Sequence, residues 1–175
     1  GILFGCGTMP HSEEKEDLPE EIPAVQAIPA ASDEARAVWL HRFEYCDYSK
    51  TRDQDSIKRY IKETIASAAD AKMNMVLFQV RGNGDAYYTP GLEPWGILLT
   101  DTLGKDPGWD PLEWALKWAR HYDMELHAWV NTFPVWRDTI PPVVTDPLSP
   151  YLAHPEWLVC DTAGVAMPLS SHYVS

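Results

Sequence analysis

The sequence predicts an α/β fold built from successive parallel strand–helix units. Three observations predict it. Apolar runs at residues 37–45, 75–80 and 125–131 alternate with stretches of helical periodicity. The middle run, Met75-Val76-Leu77-Phe78-Gln79-Val80, is almost continuously apolar, as a strand covered on both faces must be. Polarity then rises abruptly at Arg81-Gly82-Asn83-Gly84-Asp85, at the strand end where α/β folds collect functional groups.

The elements follow in order. Residues 1–34 form one unit, rich in Glu, Pro, Ala and Ser without a hydrophobic period, and read as a tether. The folded unit spans residues 35–175. The run Ala37-Val38-Trp39-Leu40-His41-Arg42-Phe43-Glu44-Tyr45 predicts the first strand. Its inward face is ambiguous: either Arg42 and Glu44, or His41 and Phe43. Asp55 or Ser56 can cap a helix whose apolar face is Ile57, Tyr60, Ile61, Thr64, Ile65, Ala68 and Ala69, with Asn74 as its stop. The second strand and a long aromatic loop, residues 86–109, come next. Asp110-Pro111-Leu112-Glu113 then opens a helix: Asp110 caps, Pro111 takes the first helical position, and Glu113 can close a capping box. Leu112, Ala115, Leu116 and Ala119 make its buried stripe. Residues 125–131 form the third strand, and the Pro-rich stretch 134–155 predicts no element.

Two folds accommodate three such units: a doubly wound sheet or the start of a closed barrel. A doubly wound nucleotide binder would carry a glycine-rich turn before its first helix, and the turn here is Cys46-Asp47-Tyr48-Ser49-Lys50. Gly82 and Gly84 lead into a loop instead of a helix, so they are not a phosphate cradle. The barrel is favoured, and the fold class is the N-terminal part, about three βα units, of a (β/α)8 TIM barrel. Such a barrel takes about 250 residues. Removing residues 1–34 leaves 141 of the 175, so the chain is expected to be a fragment.

Net charge is −12, which opposes a nucleic-acid partner because phosphate binding needs clustered Lys and Arg. Part of that acidity belongs to the tether: Glu13, Glu14, Glu16, Asp17, Glu20 and Glu21 against Lys15 give −5 over residues 13–21. The three cysteines lack zinc-site spacing. Cys46 and Cys160 read as ordinary thiols, with a bridge between them left open. Leu3-Phe4-Gly5-Cys6-Gly7 looks like the end of a bacterial lipoprotein signal, with Cys6 the acylated residue, or else Cys6 is there by chance. The first reading implies a membrane partner through an N-terminal lipid anchor and a cell-envelope location, at the outer membrane or cell surface.

The strand ends carry the candidate chemistry. Period-2 alternation puts Gln79 and Arg81 on one face of the second strand, and His127, Trp129 and Asn131 on one face of the third. Such a polar set is costly in a plain core. It either faces a ligand-filled pocket or forms an internally satisfied polar layer. In the loop, Asp85 either stabilises the Gly84 turn or meets a ligand. Tyr88 and Trp95 either fold the loop onto the mouth or stack on a sugar. Glu93 is a candidate by position, and Arg81 suits a nearby carboxylate. Eight Trp and eight Tyr serve mainly as core, a minority as flat platforms for sugar faces. No nucleophile elbow, HExxH pair or P-loop is present; no metal or cofactor is implied. Glycosidases pair two carboxyl groups across the scissile bond, and no convincing inward pair emerges from Glu44, Asp85 and Glu93.

These residues carry a resemblance. RAVWLHRFEY (36–45), FQVRGNGDAYYTPGLEPW (78–95), GWDPL (108–112), ELHAWVN (125–131) and HPEWL (154–158) resemble, in order, the bacterial glycosyl-hydrolase-like family 10, TIM-barrel proteins often found as lipoproteins. The resemblance implies hydrolysis of a glycan substrate, cell-wall strands among them; the aromatic load and the Cys6 motif fit equally a non-catalytic carbohydrate-binding lipoprotein. It also implies that a later strand supplies the catalytic carboxylates, downstream of Ser175, so that this chain alone is inactive. Asn131-Thr132-Phe133-Pro134 departs from the Asn-Pro-Tyr-Arg of many members, which bears on the local pocket contacts.

Overall fold

The computed structural model describes residues 34–46, 53–89, 91–136, 146–165 and 172–173. Strand β1 (Ala37–Leu40), helix α1 (Arg42–Tyr45), helix α2 (Gln54–Asp70), strand β2 (Met75–Arg81), helix α3 (Ile97–Thr100), helix α4 (Pro111–His121) and strand β3 (Glu125–Val130) come first. Strand β4 (Pro134–Trp136), helix α5 (Pro150–Ala153), a 3-10 turn at Pro155–Trp157 and strand β5 (His172–Tyr173) follow. The fold is mixed α/β. Strands β1, β2 and β3 form one parallel sheet in that order, with Trp39 opposite Leu77 and Leu77 opposite His127. This is the arrangement of consecutive βα units in part of a TIM-like barrel. β4 and β5 pair antiparallel as a separate ribbon.

The helices cover one face of the sheet. Leu40, Val76, Phe78 and Val80 join Ile57, Ile61 and Ile65 of α2 and Ala115, Trp118 and Ala119 of α4 in one core. Burying each Val, Leu, Ile or Phe of this set contributes about 1.5–3 kcal/mol. α2 and α4 also interlock, since Trp114 Nε1 donates to the Lys58 carbonyl oxygen at 2.9 Å. Trp118, rather than Leu116, completes the inner stripe of α4.

Local chemistry departs from the expected boundaries in four places. The first strand stops at Leu40 instead of reaching Tyr45. There His41 Nδ1 accepts from Phe43 N (3.1 Å), while His41 N donates to Glu44 Oε2 (2.7 Å). That reciprocal cap turns the chain into α1. Second, α2 begins two or three residues earlier than Asp55 or Ser56 would place it, because Asp53 Oδ2 accepts from Ser56 N at 3.0 Å. Third, Asn74 is not the helix stop; Lys72 takes the left-handed conformation (φ 64°). Asn74 ties strand starts together instead: its side chain accepts from Arg36 N and donates to the Glu34 carbonyl, both at 2.8 Å, and its own carbonyl accepts from Glu125 N. Fourth, the stretch 134–155 holds β4 and α5, and the 86–109 loop holds α3. The Asp110 cap forms as expected, accepting from Glu113 N at 3.0 Å.

The loop after β2 folds inward around Tyr87, which is fully buried. Its ring lies where a Cβ on Gly96 would sit 2.4 Å from Cζ, so only glycine fits. Tyr45 is buried beside it, ring centroids 6.0 Å apart. Cys46 is buried, Cys160 exposed, and no disulfide joins them. Among the described residues no helix is long and apolar enough to cross a membrane. Residues 1–33, with Cys6 and most of the acidic tether, and the turn at 47–50 lie outside the described residues.

Burial, foremost, raises the hydroxyl pKa of Tyr45 and of Tyr87 well above the ordinary 10.0, reinforced by Cys46 for Tyr45 and by Asp85 for Tyr87. Raised folded-state values mean that folding holds the proton. Their contribution to stability is therefore complete below pH 10 and is lost as pH climbs above it. An alkaline titration followed by phenolate absorbance should show two tyrosines that ionise only together with unfolding. Smooth ionisation of every tyrosine in the still-folded protein would contradict their burial.

Candidate functional site at the strand ends

The face of the sheet opposite the helices carries Trp39 on β1, Leu77 and Gln79 on β2, and His127 and Trp129 on β3, by strand alternation and register. Trp39 is 58% exposed. It meets Trp129 edge-to-face, centroids 4.8 Å apart and planes at 86°. β1 and β3 flank β2, and strands two places apart are about 9.5 Å from each other, so the two indoles meet above β2. Trp129 Nε1 donates to Asn131 Oδ1 at 3.0 Å, which fixes that ring. His41 lies against Trp129 (5.2 Å) and stacks on Phe43 (4.8 Å). His127 Nε2 sits 2.8 Å from Glu125 Oε2 at a half-exposed rim.

Arg81 occupies the end of β2, where the register with β3 shifts between Gln79 and Arg81. Its Nε donates to both Glu93 oxygens (2.7 and 2.8 Å) and Nη2 donates to Oε1 (2.5 Å). Nη1 donates to the carbonyl oxygens of Asn131 and Thr132. One planar guanidinium thus joins the loop after β2 to the end of β3, a task suited to its rigid fork of donors. The pair is largely shielded, with side chains 12% and 15% exposed, so its attraction is little screened.

The remaining sequence-selected residues take other places. Gln79 is wholly buried; its Oε1 accepts from Arg42 N at 3.2 Å and its backbone oxygen from the Tyr45 hydroxyl at 2.6 Å. Asp85 is buried within the turn, accepting from Gly82 N (3.2 Å), Asn83 N (2.7 Å) and the Tyr87 hydroxyl (3.2 Å). That is the turn-stabilising arrangement, with Gly84 at φ +66°. Trp95 belongs to the core, and Tyr88 packs against it. So the structure brings Arg81, Glu93 and the Asn131 backbone together, and Trp129 with the Asn131 side chain. It keeps Gln79, Asp85 and Trp95 beneath the surface.

Sequence reasoning passed over Trp39. The signal was there: it shares the period-2 face of His41, one of the two alternatives for the first strand. Buried Arg42 was also left unresolved. Its guanidinium lies against Gly82, where an added Cβ would stand 2.2 Å from Cζ, and over the Phe43 ring at 4.4 Å. A separate hollow of about 310 Å³ lies among Gln54, Leu99, Asp101, Lys105 and Trp109, with no strand residue in its wall. Among the described residues no three His, Cys, Asp or Glu side chains converge as a metal site.

The Arg81–Glu93 geometry carries a direct test. Removing either partner strands a largely buried charge, which costs about 3 kcal/mol. In a double-mutant cycle with Arg81→Met and Glu93→Leu, urea unfolding should report a coupling of about 2 kcal/mol. Additive losses would mean that the pair does not hold the loop.

Comparison with known proteins fits this architecture. The glycosyl hydrolase-like 10 family model matches residues 34–171. The "Glycosyl hydrolase YngK" of Bacillus subtilis (strain 168) is 34% identical over 131 residues, covering 71% of this chain and 25% of the relative. The "Glycosyl hydrolase DigH" of Escherichia coli (strain K12) is 34% identical over 94 residues, covering 49% of this chain and 21% of that protein. The chain therefore spans about a quarter of the length of these relatives. With the parallel βα units, the strand-end face and a match over most of its length, this chain belongs to the glycosyl hydrolase-like 10 family.

Proposed function

We propose that the protein carrying this chain is a glycoside hydrolase that cleaves O-glycosyl bonds in a polysaccharide or cell-wall glycan. The chain supplies the first βα units of a (β/α)8 barrel. The observation that carries the reading is the polar cluster at the ends of β2 and β3, Arg81 with Glu93 and the Asn131 carbonyl, and Trp129 with the Asn131 side chain, in a chain of a glycosyl-hydrolase-like family. Barrel enzymes build their sites at the C-terminal ends of the strands. Glu44, Asp85 and Glu93 are engaged in a helix cap, a turn and an ion pair. The acid and its partner carboxylate are therefore assigned to segments of the protein beyond the described residues, about 5–10 Å apart across the scissile bond.

The same engagement of carboxylates favours one second reading, a carbohydrate-binding surface protein without catalysis. Reducing-end release from purified cell-wall glycan and from other polysaccharides by the complete protein separates the two. Release supports hydrolysis; tight binding without release supports the second; neither binding nor release removes both.

Cys6, in Leu3-Phe4-Gly5-Cys6-Gly7, is proposed as the acylated residue of a lipoprotein anchor that holds the protein in the cell envelope. A labelled fatty acid fed to cells should be incorporated into the protein and lost in Cys6→Ser. Equal labelling of both would remove the anchor.

A further inference from the structure

We infer that Arg42 and Gln79 form one half of a carboxylate site at the ends of β1 and β2. A carboxylate that the described residues do not hold completes it: an Asp or Glu from a later part of the barrel, or an acidic sugar of the ligand. The first source is independent of the glycan-directed reading above; the second rests on it.

Three of the four polar or charged side chains buried among the described residues, Arg42, Gln79 and Asp85, gather at this place. Arg42 is only 3% exposed, and further chain or ligand packed around it deepens that burial. A buried cation is ordinarily paired, because its desolvation is costly. Arg42 is not: among the described residues no carboxylate forms an ion pair with it. Its guanidinium lies against Gly82 and over the Phe43 ring at 4.4 Å. With its amide oxygen turned to Arg42, Asn83 accepts from Nη2 at 3.2 Å. A ring face and one neutral amide offset only part of the desolvation of a cation. Asp85 carries the opposite charge in the same turn, but its oxygens are committed to Gly82 N, Asn83 N and the Tyr87 hydroxyl.

Gln79 supplies a second, separate deficit. Its side chain is wholly buried, Oε1 accepts from Arg42 N, and the Nε2 donor has no acceptor. Reversing the amide would set donor against donor at Arg42 N, so the orphaned group stays Nε2. An unpaired guanidinium and an unfilled amide donor, joined through Arg42 N, both need an acceptor, and the first needs it charged. A carboxylate meets both needs. Its two oxygens match the guanidinium fork, its single charge cancels that of Arg42, and a spare lone pair can take Gln79 Nε2, directly or through one water. A phosphate monoester would bring nearly twice the charge to one cation. The cluster stands at strand ends, where barrels build their sites.

The test uses the complete protein, its structure solved by crystallography without ligand and with a bound oligosaccharide. The probes are hexuronic acid oligomers and soluble cell-wall glycan fragments, each also measured after its carboxyl groups are reduced to alcohols. An Asp or Glu of a later barrel segment within hydrogen-bond distance of the Arg42 guanidinium supports the site and assigns it to the protein; reducing the sugar then leaves affinity unchanged. A sugar carboxylate at Arg42, with affinity weakened about tenfold or more by reduction, supports the site and assigns it to the ligand. Arg42→Met should in that case bind the acidic and reduced forms equally. A guanidinium that meets no carboxylate in either structure overturns the inference. So does pairing with Asp47 of the adjoining turn, which would make Arg42 a local brace. If no oligomer binds, the ligand-free structure decides the site alone, and it is the hydrolase reading that falls.

Discussion

Parallel pairing of β2 on both edges is the constraint from which the rest of this structure follows. Parallel neighbours cannot be joined by a tight turn; each needs a crossover long enough to return the chain to the same end of the sheet. α2 and α4 supply those crossovers, and both lie on one face, where they bury Val76, Phe78 and Val80. The opposite face is thereby left to Trp39, Leu77, His127 and Trp129. The apolar core and the polar, aromatic face are two consequences of one pairing pattern.

The same constraint explains the loop after β2. A strand that ends between two others delivers its next residues to a crowded place, and the backbone groups there need partners. The chain meets this need with buried polar contacts. Asp85 accepts from the turn amides, Arg42 N donates to Gln79 Oε1, and Arg81 spans to Glu93 and to the carbonyls after β3. These contacts place the ends of β1, β2 and β3 relative to one another. They would fix the geometry of any ligand surface formed there, whatever atoms carry out the reaction.

Much of this was legible in local sequence. The apolar run of β2, the Asp110-Pro111 helix start and the apolar face of α2 are short-range signals, and each formed as the chain indicated, although both ends of α2 moved. The end of β1 was harder. His41-Arg42-Phe43-Glu44 alternates like a strand, and a histidine cap is an uncommon signal beside Ser, Thr, Asp or Asn. Arg81 called for a carboxylate from its type and place alone. That the carboxylate is Glu93 depended on a loop returning twelve residues later, which no periodicity encodes.

What the sequence by itself determined is the class of fold, the order of its strand–helix units, the polar character of the strand ends and the family to which the chain belongs. These rest on near-neighbour chemistry: alternation, helical period, capping residues and ordered motifs. Only the tertiary structure decided which of the polar side chains look outward. Parity put Gln79 and Trp129 on the same face, yet Gln79 is sealed while Trp39, two strands away from Trp129, stays open beside it. The physical reason is that exposure is set by what adjacent strands and returning loops place over a residue, and those neighbours are remote in the chain. Parity chooses a face; packing across β1, β2 and β3 chooses what that face shows.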